Sequence, residues 1–468
     1  MQDTNILVTG GAGFVGSHVC KALAKAGYRP IAFDNLERGH DWAVKWGPLE
    51  HGDLRNESDI RRVFEAQSPS AVIHLAAYAY VGESVIDPIR YYDNNIGGTA
   101  KLLAACASFG CRRIVLSSSC ATYGIPTRLP VVEDAAQHPV NPYGYTKLVA
   151  ERMLKDAQAA YGIEHVSLRY FNAAGADPEG ELGEVHEPET HLIPLVLFAA
   201  LGRQPSIKIF GQDYPTKDGT CVRDYVHVSD LADAHVAAVE WLASGKSSAS
   251  FNLGNGQGFS VAEVVQTSEK VTGRPIRAEM CPARTGDPPT LISDSRKARD
   301  LLDWQPKFPG LDQQIEHARQ NTGIFGLIYI DLNDFKQVND VYGHQVGDMF
   351  LQKVAIRMKR QLRAIDMLAR LGGDEFAVVL PMIHSRREAE EIAQRLESSF
   401  DDPYPLDGYV LRGSASVGIA LYPEDGTTRD SLLSAADAAM YVAKQTKRHV
   451  DDLLSDRADP PVKTEDRA

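Results

Sequence analysis

The stretch NILVTGGAGFVG, residues 5–16, decides the fold of the first part of the chain. A β-rich run leads into Gly10, Gly13 and Gly16, and a helical pattern follows them. In this arrangement the first glycine permits a tight turn, the second lets the backbone approach a pyrophosphate, and the third lets helix and strand pack closely. The amides at the start of the helix would bind the phosphates of a dinucleotide.

The next β-rich run, PIAFDN, ends in Asp34 and points to the kind of dinucleotide. A carboxylate at the end of the second strand accepts hydrogen bonds from an adenosine ribose. It would also repel a 2′-phosphate. The sequence therefore predicts NAD rather than NADP as the cofactor.

Short β-rich runs alternate with helical patterns over residues 1–180. The runs are NILVTG, PIAFDN, AVIHLAA, RRIVLSSS and HVSLRYFN. They are almost continuously apolar, which is typical of strands buried on both faces of a parallel sheet. We therefore expect an α/β, Rossmann-type, doubly wound parallel sheet over residues 1–180. A small substrate-binding lobe is expected over residues 181–322.

The motif NPYGYTK, residues 141–147, predicts the start of a helix that carries chemistry. Asn141 suits the N-cap and Pro142 the first helical position, so that Tyr143 and Lys147 would share one helix face. A phenol has an ordinary pKa of about 10, and a nearby ammonium and a nicotinamide cation would both favour its phenolate. Tyr143 would then take a proton from a sugar hydroxyl, with Ser119 as a relay.

The composition narrows the class of protein. The chain has 468 residues, which predicts two or three domains, and its net charge of −13 argues against nucleic-acid and anionic-membrane partners. No apolar run is long enough to cross a bilayer, and the N-terminus does not resemble a signal peptide. The six cysteines are scattered without CxxC pairs. We expect free, buried thiols in a cytoplasmic protein.

Residues 1 to about 320 resemble the extended short-chain dehydrogenase/reductase family and, within it, the UDP-glucose 4-epimerases. The matching stretches include GGAGFVGSH, SSSCATYG, PYGYTK, LRYFNAAGADPEGELGE and FGQDYPTKDGTCVRDYVHVSDLADAH. The resemblance implies that NAD stays bound and accepts hydride from C4 of the sugar while Tyr143 deprotonates the 4-hydroxyl. The 4-keto sugar then rotates and hydride returns to its other face, which interconverts UDP-glucose and UDP-galactose. A homodimer is also implied.

The same resemblance implies the residues of the site. Ser119, Tyr143 and Lys147 would be catalytic. The cofactor contacts would be Gly10, Gly13, Phe14, Val15, Gly16, Asp34, Asn35, Asp53, Leu54, Leu75, Ala76, Ala77, Asn94, Lys147 and Phe171. The substrate contacts would be Ser119, Asn172, Leu192, Arg223, Arg284 and Asp287. The two arginines suit a clamp on the diphosphate.

Related reactions of this family are distinguished by a few residues. Its dehydratases carry acidic residues directly after the position of Ser119, where this chain has Cys120 and Ala121. Ala79 stands where some epimerases have a lysine that contacts the cofactor. Leu291 occupies a position whose bulk limits N-acetylated sugars, and a leucine leaves that choice open. A 4-epimerase of another UDP-sugar, including a pentose, therefore remains an alternative.

A second pattern begins near Ile324 and predicts a separate α+β domain over residues 323–450. FGLIYIDLNDF resembles a strand that ends in acids, and RLGGDEFAVVL at residues 370–380 resembles a hairpin with two more. The tail, residues 451–468, is charged and lacks apolar periodicity, so we expect it to be disordered.

This second part resembles the GGDEF domain of diguanylate cyclases. The resemblance implies a magnesium site made of Asp331, the carbonyl of Leu332, Asp374 and Glu375. It implies guanine contacts from Asn339 and Asp348, phosphate contacts from Lys336, Lys444 and Arg448, and an RxxD product-inhibition site at Arg363 and Asp366. GTP and c-di-GMP are the implied ligands.

The start of the GGDEF domain departs from the family pattern. Family members begin with a DxLTxLxNR turn and a long helix, whereas here the end of the epimerase-like part runs directly into NTGIFGLIYID. Without that helix the domain would lack a packing layer and expose apolar sheet surface. We therefore expect an inactive or regulatory domain. The alternatives are an active diguanylate cyclase and a signalling protein that binds GTP or c-di-GMP behind an epimerase-like sensor.

Overall fold

The computed structural model describes residues 4–284, 287–321, 324–363, 366–383, 386–406, 409–422, 424–426 and 428–455, without the side chains of residues 321, 324, 382 and 446–455. The chain divides into two compact units, Met1–Thr322 and Gly323–Ala468. No helix in the described ranges is long and apolar enough to cross a lipid bilayer.

The first unit alternates strands and helices. Its strands are β1 (Asn5–Thr9), β2 (Arg29–Asp34), β3 (Leu49–His51), β4 (Ala71–His74), β5 (Arg113–Ser119), β6 (Glu164–Tyr170), β7 (Asn172–Ala174), β8 (Ile207–Phe210), β9 (Val222–Arg223), β10 (Tyr225–His227), β11 (Ala249–Leu253), β12 (Phe259–Ser260), β13 (Ala278–Cys281) and β14 (Thr290–Leu291). Its helices are α1 (Phe14–Lys25), α2 (Glu57–Gln67), α3 (Val81–Ile86), α4 (Pro88–Tyr91), α5 (Gly98–Phe109), α6 (Pro142–Tyr161), α7 (Leu192–Ala200), α8 (Val228–Ala243), α9 (Val261–Thr272), α10 (Arg296–Leu302) and α11 (Leu311–Asn321). A π-helical turn, Tyr92–Gly97, joins α4 to α5.

A parallel sheet forms the centre of the first unit. Its strands, as far as the chain is described, are seven in the order β11–β6–β5–β4–β1–β2–β3. Alternate residues of β1 pack into different layers: Ile6 and Val8 join the core beneath α1 and α8, whereas Leu7 joins the core beneath α2, α5 and α6. The strands are therefore buried on both faces, and the predicted doubly wound fold is confirmed.

The predicted boundary at residue 180 does not separate sheet from lobe. β11 pairs with β6 in register Ala249 to Val166, and α8 packs on the same face of the sheet as α1. The chain therefore returns to the Rossmann-type sheet after it has built part of the lobe. The lobe itself consists of α7, α9 and α11 with short two- and three-stranded sheets from β8, β9, β12, β13 and β14 within the described residues.

The second unit is an α+β fold. Its strands are β15 (Ile324–Leu332), β16 (Met367–Gly372), β17 (Glu375–Ile383), β18 (Tyr404–Leu406), β19 (Tyr409–Leu411) and β20 (Ala415–Tyr422), and its helices are α12 (Phe335–Tyr342), α13 (His344–Lys359), α14 (Arg386–Ser398) and α15 (Arg429–Ser455). The main sheet has the order β16–β17–β15–β20 and is antiparallel.

Both faces of this second sheet are covered, contrary to the expectation of a bare apolar face. One face packs against α12, α13 and α14. The other carries Leu327, Ala377 and Ala420, which are at most 6% exposed and pack with Leu432 and Ala436 of α15. The last helix therefore covers this face of the sheet. It also runs to Ser455, into the segment predicted to be disordered, and residues 456–468 lie outside the described residues.

Candidate active site

A cavity of about 1440 Å³ opens in the first unit at the carboxyl ends of the strands. It lies where the strand order reverses, because β1 pairs with β2 on one side and with β4 on the other. Ligands of open α/β sheets bind at this kind of topological switch point.

Nearly all of the predicted site residues line this one cavity. They are Gly10, Gly13, Phe14, Val15, Gly16, Asp34, Asn35, Asp53, Leu54, Leu75, Ala76, Ala77, Asn94, Ser119, Tyr143, Phe171, Asn172, Leu192, Arg223, Arg284 and Asp287. Lys147 is the exception. It is buried behind the wall, where its Nζ donates a hydrogen bond of 2.8 Å to the carbonyl oxygen of Ser117.

The glycine loop after β1 forms a tight cradle. Gly10 has a φ of +74°, which a residue with a side chain seldom adopts. A Cβ atom on Gly16 would lie 2.0 Å from the carbonyl oxygen of Gly10, so only glycine lets α1 begin this close to the loop. Gly13 caps α1 without a side-chain hydrogen bond, and the first turn has no acidic residue. The amides at this helix end are thus available to a phosphate, and the cradle fits a dinucleotide.

Asp34, at the end of β2, has a structural task besides its predicted contact with a ribose. It is 8% exposed, and its two carboxylate oxygens accept hydrogen bonds from the amides of Ala12 (3.1 Å) and Leu36 (2.9 Å). Burial raises the pKa of Asp34 above its usual value, whereas those two amides lower it. Asp34 therefore holds the glycine loop in place while it lines the cavity.

The start of α6 positions the predicted base. Asn141 Oδ1 accepts a hydrogen bond of 2.8 Å from the amide of Gly144, and Pro142 is the first helical residue, as predicted. Tyr143 and Ser119 are each 8% exposed, both line the cavity, and the nearby Ser119 side chain lowers the pKa of the Tyr143 phenol. Ser119 thus lies near Tyr143 on the wall of the same cavity.

The sequence predicts that two positive charges, an ammonium and a nicotinamide cation, favour the phenolate of Tyr143, and the structure describes the ammonium of Lys147. Burial raises the pKa of Tyr143 above that of an ordinary phenol, and the nearby Ser119 side chain offsets only part of that rise. Lys147 Nζ lies 6.0 Å from the centre of the Tyr143 ring, and burial lowers the pKa of Lys147 to about 8. The lysine by itself therefore does not make the tyrosine acidic. A second positive charge inside the cavity is required.

The predicted substrate contacts lie on the lobe side of the cavity. Arg223 forms an ion pair with Asp287, and the guanidinium of Arg284 lies 4.0 Å above the ring of Phe210. Leu291 is 7% exposed and packs with Cys120, whose thiol pKa burial raises to about 12. Cys120 is therefore no acid at neutral pH, in agreement with the argument against a dehydratase.

Four cavity residues escaped the sequence reasoning. Glu184, His186, Glu189 and His191 line the same cavity on the segment that joins β7 to α7. The signal was present in the stretch EVHEPETH, residues 184–191, where three glutamates and two histidines lie within eight residues. Only the fold shows that this irregular segment folds back on itself.

All six cysteines are free thiols, as predicted. Five of them are buried, and Cys281 is half-buried.

In the second unit, the predicted magnesium ligands are near one another, but they already interact with other protein groups. Asp331 of β15 lies directly opposite Glu375 of β17. Asp331 forms an ion pair with Lys444, and the nearby Glu375 carboxylate contributes to raising the pKa of Tyr329. Asp374 uses its carbonyl oxygen to accept a hydrogen bond of 3.2 Å from the amide of Leu332. Within the described residues, the carboxylates of the two strands and the turn do not gather into a metal-binding cluster.

The remaining predicted ligand contacts of this unit lie on helices α12, α13 and α15. Lys336 and Asn339 lie on α12, Asp348 lies exposed on α13, and the side chain of Arg448 lies outside the described residues.

The RxxD pair also serves the fold of the second unit. Asp366 is 3% exposed and accepts a hydrogen bond of 2.8 Å from the amide of Arg363. The Arg363 guanidinium pairs with Glu388 at 2.6 Å. In this arrangement the carboxylate of Asp366 holds a turn and does not face a ligand.

Comparison with known proteins agrees with the geometry of the first unit. Residues 6–254 match the NAD dependent epimerase/dehydratase family. A protein of Rhizobium meliloti named UDP-glucose 4-epimerase is 52% identical over 328 residues, which is 69% of this chain and all of that protein.

Two solved structures share this architecture. The UDP-glucose 4-epimerase of Brucella ovis in complex with NAD is 52% identical, with a TM-score of 0.66 over 68% of this chain and 97% of that one. The enzyme of Bifidobacterium longum in complex with NAD+ and UDP is 37% identical, with a TM-score of 0.65 over 68% of this chain and 97% of that one.

Residues 303–450 match the diguanylate cyclase GGDEF domain. This match includes α11, so a helix does precede the first GGDEF strand. The apolar residues of α11, Leu311, Ile315 and Ala318, nevertheless pack with Ile193 and other residues of the first unit. By sequence and by architecture, the chain belongs to the NAD dependent epimerase/dehydratase family and carries a GGDEF domain at its C-terminal end.

Proposed function

We propose that the first unit is an NAD-dependent UDP-glucose 4-epimerase that interconverts UDP-glucose and UDP-galactose in galactose metabolism. One observation carries the proposal: a single cavity joins the phosphate cradle of α1 to the neighbouring side chains of Ser119 and Tyr143. The names of the relatives and their complexes with NAD and UDP support it.

The dinucleotide would occupy the β1 to β4 side of the cavity. Its pyrophosphate would bind the amides at Gly13, Phe14 and Val15, and Asp34 would accept hydrogen bonds from the adenosine ribose. The nicotinamide end would then lie near Tyr143 and Phe171, which line the far part of the same cavity.

The residues around Tyr143 would move the proton. Bound NAD would supply the hydride chemistry at C4 of the sugar and would bring a positive charge. That charge lowers the pKa of a phenol that burial otherwise raises, because an opposite charge nearby favours the phenolate. Tyr143 would take the proton of the 4-hydroxyl, directly or through Ser119, and would return it after the sugar has turned.

The lobe would hold the UDP group while the sugar turns. Arg223 and Arg284 would bind the diphosphate, since a guanidinium forms strong paired hydrogen bonds with phosphate oxygens. Arg223 has its charge balanced by Asp287, so a bound diphosphate would compete with that carboxylate for the guanidinium.

The test is product analysis of the purified chain. Incubation with UDP-galactose should yield UDP-glucose, and proton NMR of the sugar ring distinguishes the two. An equilibrium mixture of both is the expected result. Absence of UDP-glucose from NAD-loaded protein would contradict the proposal. UDP-N-acetylglucosamine and a UDP-pentose tested in parallel would address the alternative substrates that Leu291 leaves open.

A cytoplasmic homodimer completes this proposal. The six free cysteines suit a reducing compartment. Light scattering should give twice the chain mass of 51.2 kDa if the dimer forms.

For the second unit we propose a domain with little or no cyclase activity. The contact that favours this is the ion pair of Lys444 with Asp331, which occupies the carboxylate that magnesium would need. GTP with Mg2+ should therefore give weak or no c-di-GMP. Robust synthesis that Glu375→Ala abolishes would instead establish an active cyclase.

A further inference from the structure

A cluster of carboxylates and imidazoles beside the cavity has no task in the epimerase chemistry. Glu184, His186, Glu189 and His191 each offer one ligand atom, and these atoms all lie within 4.8 Å of one another. All four residues belong to the segment between β7 and α7.

The spacing of these atoms suits a small cation. His186 Nδ1 lies 3.3 Å from Glu184 Oε1 and 3.5 Å from Glu189 Oε2. His191 Nδ1 lies 2.9 Å from one oxygen of each glutamate. In a tetrahedral site with bonds of about 2.0–2.1 Å, neighbouring ligand atoms are about 3.3–3.4 Å apart. The four groups are thus already gathered at roughly the separation that a metal ion imposes.

Two of the ligand atoms are buried without a hydrogen bond. Glu189 Oε2 and His186 Nδ1 have no hydrogen-bond partner among the described residues. The side chain of Glu189 is only 6% exposed, and that of Glu184 only 8%. A buried polar atom without a partner is costly, and a buried carboxylate is more so. Something that binds this oxygen would remove that cost.

A second cluster of carboxylates differs from this one because a lysine already occupies its centre. Asp177, Glu179 and Glu181 also converge, but Lys21 Nζ lies 2.7, 2.9 and 2.6 Å from their oxygens and occupies the centre. In the described part of the chain, neither Glu184 nor Glu189 has an ion pair with a lysine or an arginine. Their only charged partners there are the two histidines.

We propose that Glu184, His186, Glu189 and His191 bind a divalent first-row transition metal, of which Zn2+ fits best. Two imidazole nitrogens with two carboxylate oxygens suit Zn2+. Mg2+ and Ca2+ prefer ligand sets made entirely of oxygen. Four protein ligands leave no open position, so the ion would be structural.

The ion would fix the conformation of the β7–α7 segment, to which all four ligands belong, where it lies against the cofactor side of the cavity. The same segment is already attached there: Arg38 donates a hydrogen bond of 2.7 Å to the carbonyl oxygen of Glu187, and His40 Nε2 lies 3.2 Å from the carbonyl oxygen of Val185. The ring of His186 also lies 6.4 Å from that of Phe14, edge to face, at the start of α1. A metal would make the segment itself rigid beside this attachment.

The test is a metal titration of the full chain after treatment with a chelator. Calorimetry should show Zn2+ binding at one site that is lost in Glu189→Gln and in His186→Asn. The affinity should fall more than about 100-fold, since even the outer partners of metal ligands contribute about 10–100-fold. Co2+ should give the intense visible absorption of a four-coordinate ion in the unaltered protein. Zn2+ should also raise the melting temperature of that protein but not of the variants.

Glu179→Gln is the matched control, because Glu179 is 57% exposed and belongs to the cluster that Lys21 fills. It should bind Zn2+ like the unaltered chain. The absence of Zn2+ binding to the unaltered chain would overturn the proposal. So would equal affinity in the unaltered chain and in a folded Glu189→Gln variant, as judged by circular dichroism.

Discussion

At the scale of single residues, the candidate active site depends on how burial sets charge. Tyr143 is a neutral phenol in the protein alone, since burial raises its pKa. Lys147 carries its ammonium in a fully enclosed position, and burial lowers its pKa from 10.5 to about 8. Burial thus disfavours both the ammonium of Lys147 and the phenolate of Tyr143. A bound cofactor and substrate would stabilise the charged forms of both groups.

Lys147 should leave a signature in the pH dependence of stability. The folded protein releases the lysine proton near pH 8, whereas the unfolded chain keeps it up to about pH 10.5. The unfolded state binds more protons in this window, so the free energy of unfolding should rise with pH across it. The rise should be on the order of 3 kcal/mol relative to Lys147→Met.

Urea unfolding of NAD-free protein at pH 7, 8, 9 and 10 measures this difference. The pH dependence of other groups is common to both proteins and cancels. Parallel curves for the unaltered protein and Lys147→Met would contradict the lowered pKa.

Local sequence predicts some of these residues well and others poorly. Asn141, Pro142 and Tyr143 are fixed by helix-start chemistry, which acts over a few residues. The hydrogen bond of Lys147 to the carbonyl of Ser117, by contrast, joins residues 30 positions apart. Burial and its effect on a pKa depend on such distant contacts, so the rise in the pKa of Tyr143 that burial causes could not be predicted from the local sequence.

At the scale of secondary-structure elements, the site depends on how closely α1 begins beside the glycine loop. Gly16 has no side chain, which lets α1 begin close to the loop. The carboxylate of Asp34 accepts a hydrogen bond from the amide of Ala12 and so holds the loop in place. The sequence predicted this arrangement because the glycine spacing, the strand and the helix follow one another directly. β3 and β11 went unpredicted, since they are edge strands of three and five residues without a distinct apolar run.

Gly16→Ala should separate α1 from the loop. The added Cβ atom would lie 2.0 Å from the carbonyl oxygen of Gly10, a backbone atom that cannot move without a shift of the loop. We expect a loss of about 1–3 kcal/mol in the free energy of unfolding, as for other overpacked sites. NAD retained by the purified protein should also fall.

Gly97→Ala is the control for this substitution. Its added Cβ atom would find ordinary contacts, of 3.7 Å and more. Melting temperature and cofactor content should stay close to those of the unaltered protein. Equal cofactor content in Gly16→Ala and Gly97→Ala would contradict the role of the cradle.

At the scale of the whole molecule, the chain joins two compact units, and α11 decides where the first one ends. Leu311 and Ile315 of α11 are at most 5% exposed and pack inside the first unit. The match to the GGDEF domain begins before this helix, at residue 303. Sequence similarity and packing therefore place the domain boundary differently, and packing governs stability.

Two truncations test this boundary. A chain of residues 1–322 keeps α11 and should fold and epimerise like the full chain. A chain of residues 1–310 loses it, and each buried Leu or Ile side chain contributes about 1.5–3 kcal/mol. That loss is a large part of the total stability of a domain, about 5–15 kcal/mol. Thermal unfolding and soluble yield measure the effect, and equal stability of the two truncations would show that α11 belongs functionally to the second unit.

The proposed base is tested by the rate at which NAD-loaded Tyr143→Phe converts UDP-galactose to UDP-glucose. Tyr145→Phe is the matched control, because Tyr145 lies on the same helix but is 50% exposed. We predict a fall in kcat of about 10²–10⁴-fold for Tyr143→Phe, with NAD content unchanged, and a normal rate for Tyr145→Phe. Full turnover by NAD-loaded Tyr143→Phe would show that another group takes the proton.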